Sequence, residues 1–136
     1  MSLIYKGKTI ADVGGGGAAE VYSTEETRIG TWIDGKPLYR KVASISLENN
    51  ARDQQFNIGL ADVDVVTNHV VRVKRSVAGN GWISDGYANS GVTLMSGVRT
   101  DNFNLWVSVV SFSDVSGQPA FAIVEYTKTT DEASGS

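Results

Sequence analysis

The sequence predicts an all-β protein that folds as an antiparallel β-sandwich of jelly-roll-like type. Residues 63–77 alternate between apolar and polar side chains and are rich in β-branched residues, which indicates a strand with one buried face. Fifteen glycines among 136 residues indicate many turns between short strands. No segment repeats its apolar residues with a helical period. Several short strands at regular spacing are typical of a sandwich.

The strands follow one another along the chain with polar turns between them. Asp34-Gly35 lies between two apolar runs, which is a strong hairpin signal within residues 21–47. The further strands are predicted at 42–47, 56–60, 63–77, 92–95, 103–112 and 120–127. Thr67-Asn68 interrupts the pattern of the third of these, which predicts either two strands or a bulge.

The glycine run and the polar C-terminal residues divide the chain into four predicted parts. Residues 1–13 alternate weakly and are predicted to form a short strand or hairpin. Residues 14–20 begin with four consecutive glycines and are interpreted as a flexible linker. Residues 21–131 form the predicted sandwich domain, and residues 132–136 are a polar tail expected to be disordered.

Composition argues against several classes of partner. The net charge of −3 and the absence of a long basic run argue against nucleic-acid binding. No apolar run approaches the roughly 20 residues that span a bilayer, so membrane insertion is not predicted. The chain has no cysteine, which excludes disulfides and thiolate metal sites. The N-terminus lacks the uninterrupted apolar region of a signal peptide.

No motif in the sequence predicts catalysis, a metal site or a cofactor. His69 is the only histidine and shares the apolar face of its strand, so a structural role is expected. No G-x-S-x-G nucleophile motif or phosphate-binding loop is present. Asp62 and Asp64 could touch Ca²⁺ but lack the rest of a calcium loop. Two-carboxylate glycoside hydrolysis is defined by separation in space and stays open. The protein is therefore predicted not to be an enzyme.

The segment 79–91 is the predicted ligand-binding loop. Trp82 and Tyr87 can stack on the apolar face of a sugar ring, while Asp85 and Asn89 can hydrogen-bond to its hydroxyl groups. The alternative is that Trp82 folds inward and anchors the loop.

The strand at 103–112 is apolar on both faces. Phe103, Leu105, Val107 and Val109 fit the core face. Trp106, Val110 and Phe112 fall on the opposite face. This pattern suits either a central strand covered by a loop or a subunit interface. The second interpretation predicts a homo-oligomer with these three residues at or near the contact.

Three sequence blocks resemble a family of small phage and prophage tail- or fibre-associated domains. The segment VYSTEETRIGTWIDGKPLYRK, residues 21–41, is similar to the YSTEE…WIDGKPLY signature of that family. The segment FAIVEYTKTTD, residues 121–131, is similar to its terminal EYTKTTD. The opening IYKGKTIADVGGGG resembles the start of such proteins. Residues 48–115 follow no family pattern.

The resemblance implies a virion protein with a β-sandwich fold, often trimeric, placed where a phage meets its host. Its expected role is a fibre or tail-tip module that contacts other virion proteins and recognises a host-surface glycan. Such a protein is made in the bacterial cytoplasm and leaves the cell in the particle. The alternative function is a free-standing carbohydrate-binding module that serves a glycan-active enzyme.

Overall fold

The computed structural model describes residues 22–76 and 81–133, which form two antiparallel β-sheets packed face to face. The predicted N-terminal segment and linker, residues 1–20, lie outside the described residues, as do residues 134–136 of the predicted tail. No helix occurs within the described residues. The prediction of an all-β antiparallel sandwich is confirmed.

The chain passes between the two sheets several times. Their bounds are β1 Thr27–Thr31, β2 Pro37–Ile45, β3 Gln54–Phe56, β4 Val63–Lys74, β5 Trp82–Ser84, β6 Ala88–Asn89, β7 Val92–Val98, β8 Leu105–Val110 and β9 Ala120–Lys128. One sheet has five strands in the order β1-β2-β9-β4-β5, and the other has four in the order β3-β8-β7-β6. The pairs β2·β9 and β3·β8 are nested in sequence, which is the jelly-roll-like feature of the chain.

The core lies between the sheets and is built from the inward residues of each strand. In β8 the buried residues are Leu105, Val107 and Val109, as the alternation predicts. The buried apolar residues of the whole core are Ile45, Leu47, Ile58, Val63, Val71, Val73, Leu94, Leu105, Val107, Val109, Phe112, Val115, Ala120, Ala122, Val124 and Tyr126. Burial of each large side chain contributes roughly 1.5–3 kcal/mol relative to exposure.

The first hairpin forms around the predicted turn, but its first strand ends earlier than expected. The backbone NH of Trp32 donates to the carbonyl of Lys36 at 2.8 Å, and Gly35 has a φ of 88°. Trp32 and Ile33 therefore belong to the turn, and Ile33 is 90% exposed. Glycine is favoured at position 35 because other residues rarely adopt such a φ.

Strand β4 is one strand with bulges, which resolves the two alternatives predicted for Thr67-Asn68. Its register against β9 shifts between Val63 and Val66 and again between Val66 and Asn68. The first shift turns Val65 outward and places Val66 against the core. A bulge inserts an unpaired residue and thereby changes which face the following side chains occupy.

The two sequence blocks that resemble phage proteins, residues 21–41 and 121–131, contact each other at one end of the five-stranded sheet. Glu26 accepts hydrogen bonds from the hydroxyl of Tyr126 and, at 2.5 Å, from the ammonium of Lys128. The rings of Tyr39 and Tyr126 lie 6.1 Å apart. Lys36 donates to the carbonyl of Lys128 at 3.2 Å. The residues of these blocks therefore form a structural framework.

Candidate functional site

The structure disperses the four residues of the predicted binding loop. Trp82 begins β5 on the outer face of the five-stranded sheet, where it is 49% exposed. Tyr87 packs instead against the core, with its ring 6.1 Å from that of Phe112. Asn89 lies exposed in β6, at the edge of the other sheet. Asp85 sits at the junction of the two sheets, so the four side chains do not converge on one site.

Asp85 holds two strands of different sheets together. One of its carboxylate oxygens accepts a hydrogen bond from the backbone NH of Val71 in β4 at 3.0 Å. The other accepts one from the hydroxyl of Ser96 in β7 at 2.5 Å. These bonds give Asp85 a structural role.

His69, Asp85 and Ser96 do not have the arrangement of a catalytic triad. The His69 Nε2 lies 3.1 Å from the backbone carbonyl oxygen of Ser96, and 3.8 Å from the carboxylate of Asp85. The Ser96 hydroxyl donates directly to that carboxylate. In a triad the histidine would instead accept the proton of the serine hydroxyl. The cluster is therefore a polar contact between sheets.

The outer face of the four-stranded sheet carries an indole that packs directly against the backbone of a glycine. Trp106 in β8 is paired with Gly97 in β7, and a Cβ placed on Gly97 would lie 2.5 to 2.8 Å from three atoms of the indole. Real side chains do not approach so closely, so only glycine at position 97 allows this position of the ring. The half-buried indole is thus a fixed, flat apolar surface.

A shallow hollow opens beside this indole. Its volume is about 390 Å³, which is at the low end of the roughly 300–1,000 Å³ range of ligand sites. The residues that line this hollow, called here the Trp106 hollow, are Arg52, Asp53, Arg99, Trp106 and Ser108. The hollow therefore combines one apolar floor with hydrogen-bonding groups around it.

The charges around the Trp106 hollow are balanced. Arg99 donates two hydrogen bonds to Asp101, at 3.1 and 2.9 Å. These bonds raise the pKa of Arg99 and lower that of Asp101, and the charge of Asp53 adds to the rise at Arg99. The side chain of Arg52 has no hydrogen-bond or ion-pair partner within the described part of the chain. The two guanidinium groups of the hollow are thus accompanied by the carboxylate of Asp53 in its lining and by that of Asp101, which pairs with Arg99.

The outer face of the five-stranded sheet carries a second aromatic surface. The rings of Trp82 and Phe121 are stacked with their centroids 5.9 Å apart and an interplanar angle of 22°. Arg72 is paired with Phe121, and Lys74 with Trp82, across neighbouring strands. The two tryptophans of the middle segment therefore lie on opposite outer faces of the sandwich.

The assignment of Phe112 to the outer, interface-forming face of its strand is wrong. Ser111 has a φ of 64°, which breaks the alternation after β8 ends at Val110. Phe112 consequently turns inward, where it is 1% exposed. The outer face retains Trp106 and Val110, both partly buried, and for these two the interface stays a prediction.

The sequence signals that were missed concern Gly97, Arg52 and Arg99. An isolated glycine within a strand pattern indicates close approach of another group to the backbone, and the run VTLMSGV carries this signal. The two arginines are 47 positions apart in the sequence and follow no motif. Only the folded sheet brings them to the same hollow.

Within the described residues, no group of three or more histidine, aspartate or glutamate side chains is placed to hold a metal ion. Asp64 forms an ion pair with Lys36 at 2.8 Å. The residues between 22 and 133 that the structure describes include no helix long and apolar enough to cross a membrane.

Comparison of the chain with family models, with curated proteins and with solved structures finds no match. The resemblance to phage tail- and fibre-associated domains therefore stays a prediction from the sequence blocks.

Proposed function

We propose that this protein is a non-catalytic recognition module of a phage-type fibre or tail tip, and that it binds a neutral saccharide of the host surface in the Trp106 hollow. The single observation that carries the binding proposal is the Trp106 indole packed directly against Gly97 within a hollow rimmed by polar groups.

The chemistry of the hollow suits a sugar ring. One face of a pyranose presents C–H groups, which pack well on a flat indole, while its hydroxyl groups need donors and acceptors at the edge. Arg52 and Ser108 can donate, and Asp53 can accept. Because the charges balance, a neutral sugar fits better than a charged one.

The distribution of residues supports a recognition role. All five residues that line the Trp106 hollow fall within residues 48–115, the segment that departs from the family pattern. The two blocks that carry the resemblance form the framework at one end of the five-stranded sheet. A constant framework with a variable surface is the arrangement expected of a module that adapts to different hosts.

Assembly into a homotrimer is part of the proposal and comes from the resemblance. Val110, at the end of β8, lies four residues along the strand from Trp106. Four residues of strand span about 13 Å. Of the two residues predicted at the interface, Val110 is therefore the one farther from the indole of the Trp106 hollow, and we place the centre of the contact there.

The binding proposal is tested by screening the protein on an array of neutral host-surface glycans and measuring the affinity of the best neutral ligand by calorimetry. Trp106→Ala is expected to lower the affinity at least tenfold, which corresponds to about 1.4 kcal/mol. Trp82→Ala is the matched control because it removes an exposed indole from the opposite face, and its affinity should equal that of the wild type. Arg52→Ala tests the contribution of the polar groups around the hollow without disturbing the contact between Trp106 and Gly97. Absence of glycan binding, or equal binding by Trp106→Ala, would overturn the proposal.

The location in the particle is tested separately by labelling purified virions with an antibody against this chain. We expect label on the fibres or tail tip. Glycan binding by a protein that purified virions lack would instead favour the free-standing carbohydrate-binding module.

A further inference from the structure

The outer face of the five-stranded sheet holds two aromatic rings and two cations side by side. Trp82 is 49% exposed and Phe121 is 38% exposed, so the stacked pair is open to solvent on one side. Arg72 and Lys74 point from the same face of β4, where both are exposed. We call these four residues the aromatic–cation face.

The strand register fixes the spacing of this face. Arg72 is paired with Phe121 on one side and with Ser84 on the other, and Lys74 is paired with Trp82. Arg72 and Lys74 are two residues apart on one strand, which separates them by about 7 Å. Each cation is therefore next to one ring of the stacked pair.

No carboxylate neutralises these two cations within the described residues. The guanidinium of Arg72 donates to the hydroxyl of Ser84 at 3.1 Å, and the ammonium of Lys74 has no hydrogen-bond or ion-pair partner there. The other residues in register on this part of the face are uncharged: Val42, Ser44, Val70, Ser84 and Ile123. The face is thus locally positive in a chain with a net charge of −3.

We infer that the aromatic–cation face is a second binding site, for an acidic polysaccharide whose sugar rings carry carboxylate or phosphate groups. A sugar ring packs on Trp82 and Phe121, and its acidic groups pair with Arg72 and Lys74. Charge separates this site from the Trp106 hollow, because the hollow contains both signs and this face only one. The inference does not depend on binding in the hollow, which lies on the other sheet.

Two features favour an acidic polysaccharide over a single-stranded nucleic acid. Proteins that track a phosphate backbone use a longer basic groove with successive stacking rings. Here only two cations surround one stacked pair. In addition, the acidic surface implied by the net charge repels a long polyanion but affects a short acidic segment less.

The test uses oligogalacturonate, which carries one carboxylate on each ring, and its methyl ester, which has the same rings without the charge. We expect the wild-type protein to bind the acid at least tenfold more tightly than the ester at low salt, with affinity falling as salt rises. The double variant Arg72→Ala/Lys74→Ala should lose this preference. Trp82→Ala should weaken binding of the acid and of the ester alike.

Arg28→Ala is the matched control, because it removes an exposed cation from β1, at the opposite edge of the five-stranded sheet from β5, and should leave oligogalacturonate binding unchanged. All of these residues are exposed, so melting temperatures near that of the wild type should confirm that the variants fold. The inference is overturned if the wild type does not distinguish acid from ester, or if the double variant binds as the wild type does. Tighter binding of a single-stranded oligonucleotide of equal charge would overturn it in favour of a nucleic-acid site.

Discussion

Glu26 is the residue that fastens the start of the described chain to the last strand. It accepts hydrogen bonds from Tyr126 and Lys128, which lie about a hundred positions away in the sequence. Burial alone would raise the pKa of Glu26, but the hydrogen bonds from Lys128 and Tyr126 and the charges of Lys128 and Lys41 outweigh it and lower the pKa. Burial and the same contact with Glu26 raise the pKa of Tyr126.

The lowered pKa of Glu26 makes stability depend on acid pH. A carboxylate whose pKa is lower in the folded chain stabilises the fold above its unfolded pKa of about 4.3, and this contribution is lost as the pH falls through the lowered, folded pKa. Hydrogen bonds to charged groups contribute roughly 1.5–3 kcal/mol, and partial exposure reduces that figure. We therefore expect Glu26→Gln to lower the free energy of unfolding by about 1 kcal/mol at pH 7.

Urea unfolding at pH 7 and at pH 3 measures this effect. The difference between wild type and Glu26→Gln should shrink at pH 3, because this pH lies below the unfolded pKa and the stabilisation by the ionised carboxylate is then being lost. Glu25→Gln is the neighbouring control, since the Glu25 side chain is exposed. A Glu26→Gln deficit that is the same at both pH values would contradict the role assigned to the ionised carboxylate.

Among the secondary-structure elements, β4 and β7 face each other across the sandwich and are joined by Asp85. The carboxylate bonds the backbone of one strand and a serine of the other. In addition, the backbone NH of Asp85 donates to the carbonyl of Val71 at 2.8 Å. The contact fixes the position of one sheet on the other at this end.

Removal of the Asp85 carboxylate should destabilise the fold. Asp85→Ala leaves the NH of Val71 and the hydroxyl of Ser96 without an acceptor, and each unsatisfied group costs roughly 1–3 kcal/mol. We expect a loss of about 2–4 kcal/mol in urea unfolding. Asn89→Ala, from the same predicted loop but exposed, should change stability by less than about 0.5 kcal/mol. An Asp85→Ala variant as stable as the wild type would contradict the structural role of Asp85 and would make it a candidate for ligand binding again.

The strands were predictable where side chains alternate without interruption. The predicted strands at 103–112 and 120–127 correspond to β8, Leu105–Val110, and β9, Ala120–Lys128. Backbone irregularities account for the differences in orientation, since bulges turn Val65 outward and the positive φ of Ser111 turns Phe112 inward. A single residue with an unusual φ leaves no periodic signal, so the sequence could not reveal it.

The candidate sites were predictable only in part, because each is assembled across strands. The sequence left open whether Trp82 is exposed or folds inward, and it assigned the companions of Trp82 from the same loop. Its actual neighbour is Phe121, which is 39 positions away and comes next to it because β9 lies close by in the sheet. Such neighbours are determined by the order of the strands in the sheet. That order cannot be inferred from the composition of the sequence or from the spacing of its residues.

At the scale of the whole molecule, the predicted oligomeric state can be measured directly. We expect sedimentation at high micromolar concentration to give three times the 14.5 kDa of one chain. Val110→Asp places a charge at the predicted contact and should reduce the mass to that of one chain. Trp82→Ala is the control, because Trp82 lies on the outer face of the other sheet, and it should leave the trimer intact. A wild-type monomer would refute the trimer, whereas a trimer unaffected by Val110→Asp would place the contact on another part of the molecule.

The nested pairing of the strands has a consequence for how the chain folds during synthesis. Strand β9 lies between β2 and β4 and completes the middle of the five-stranded sheet, although it is the last strand described along the chain. Until residue 128 has left the ribosome, β2 and β4 each lack the strand that pairs with one of their edges. Pairings over such long sequence separations form slowly and expose chains to aggregation. Nascent chains that stall before β9 should therefore depend on chaperones, whereas chains released after it can close the sheet unaided.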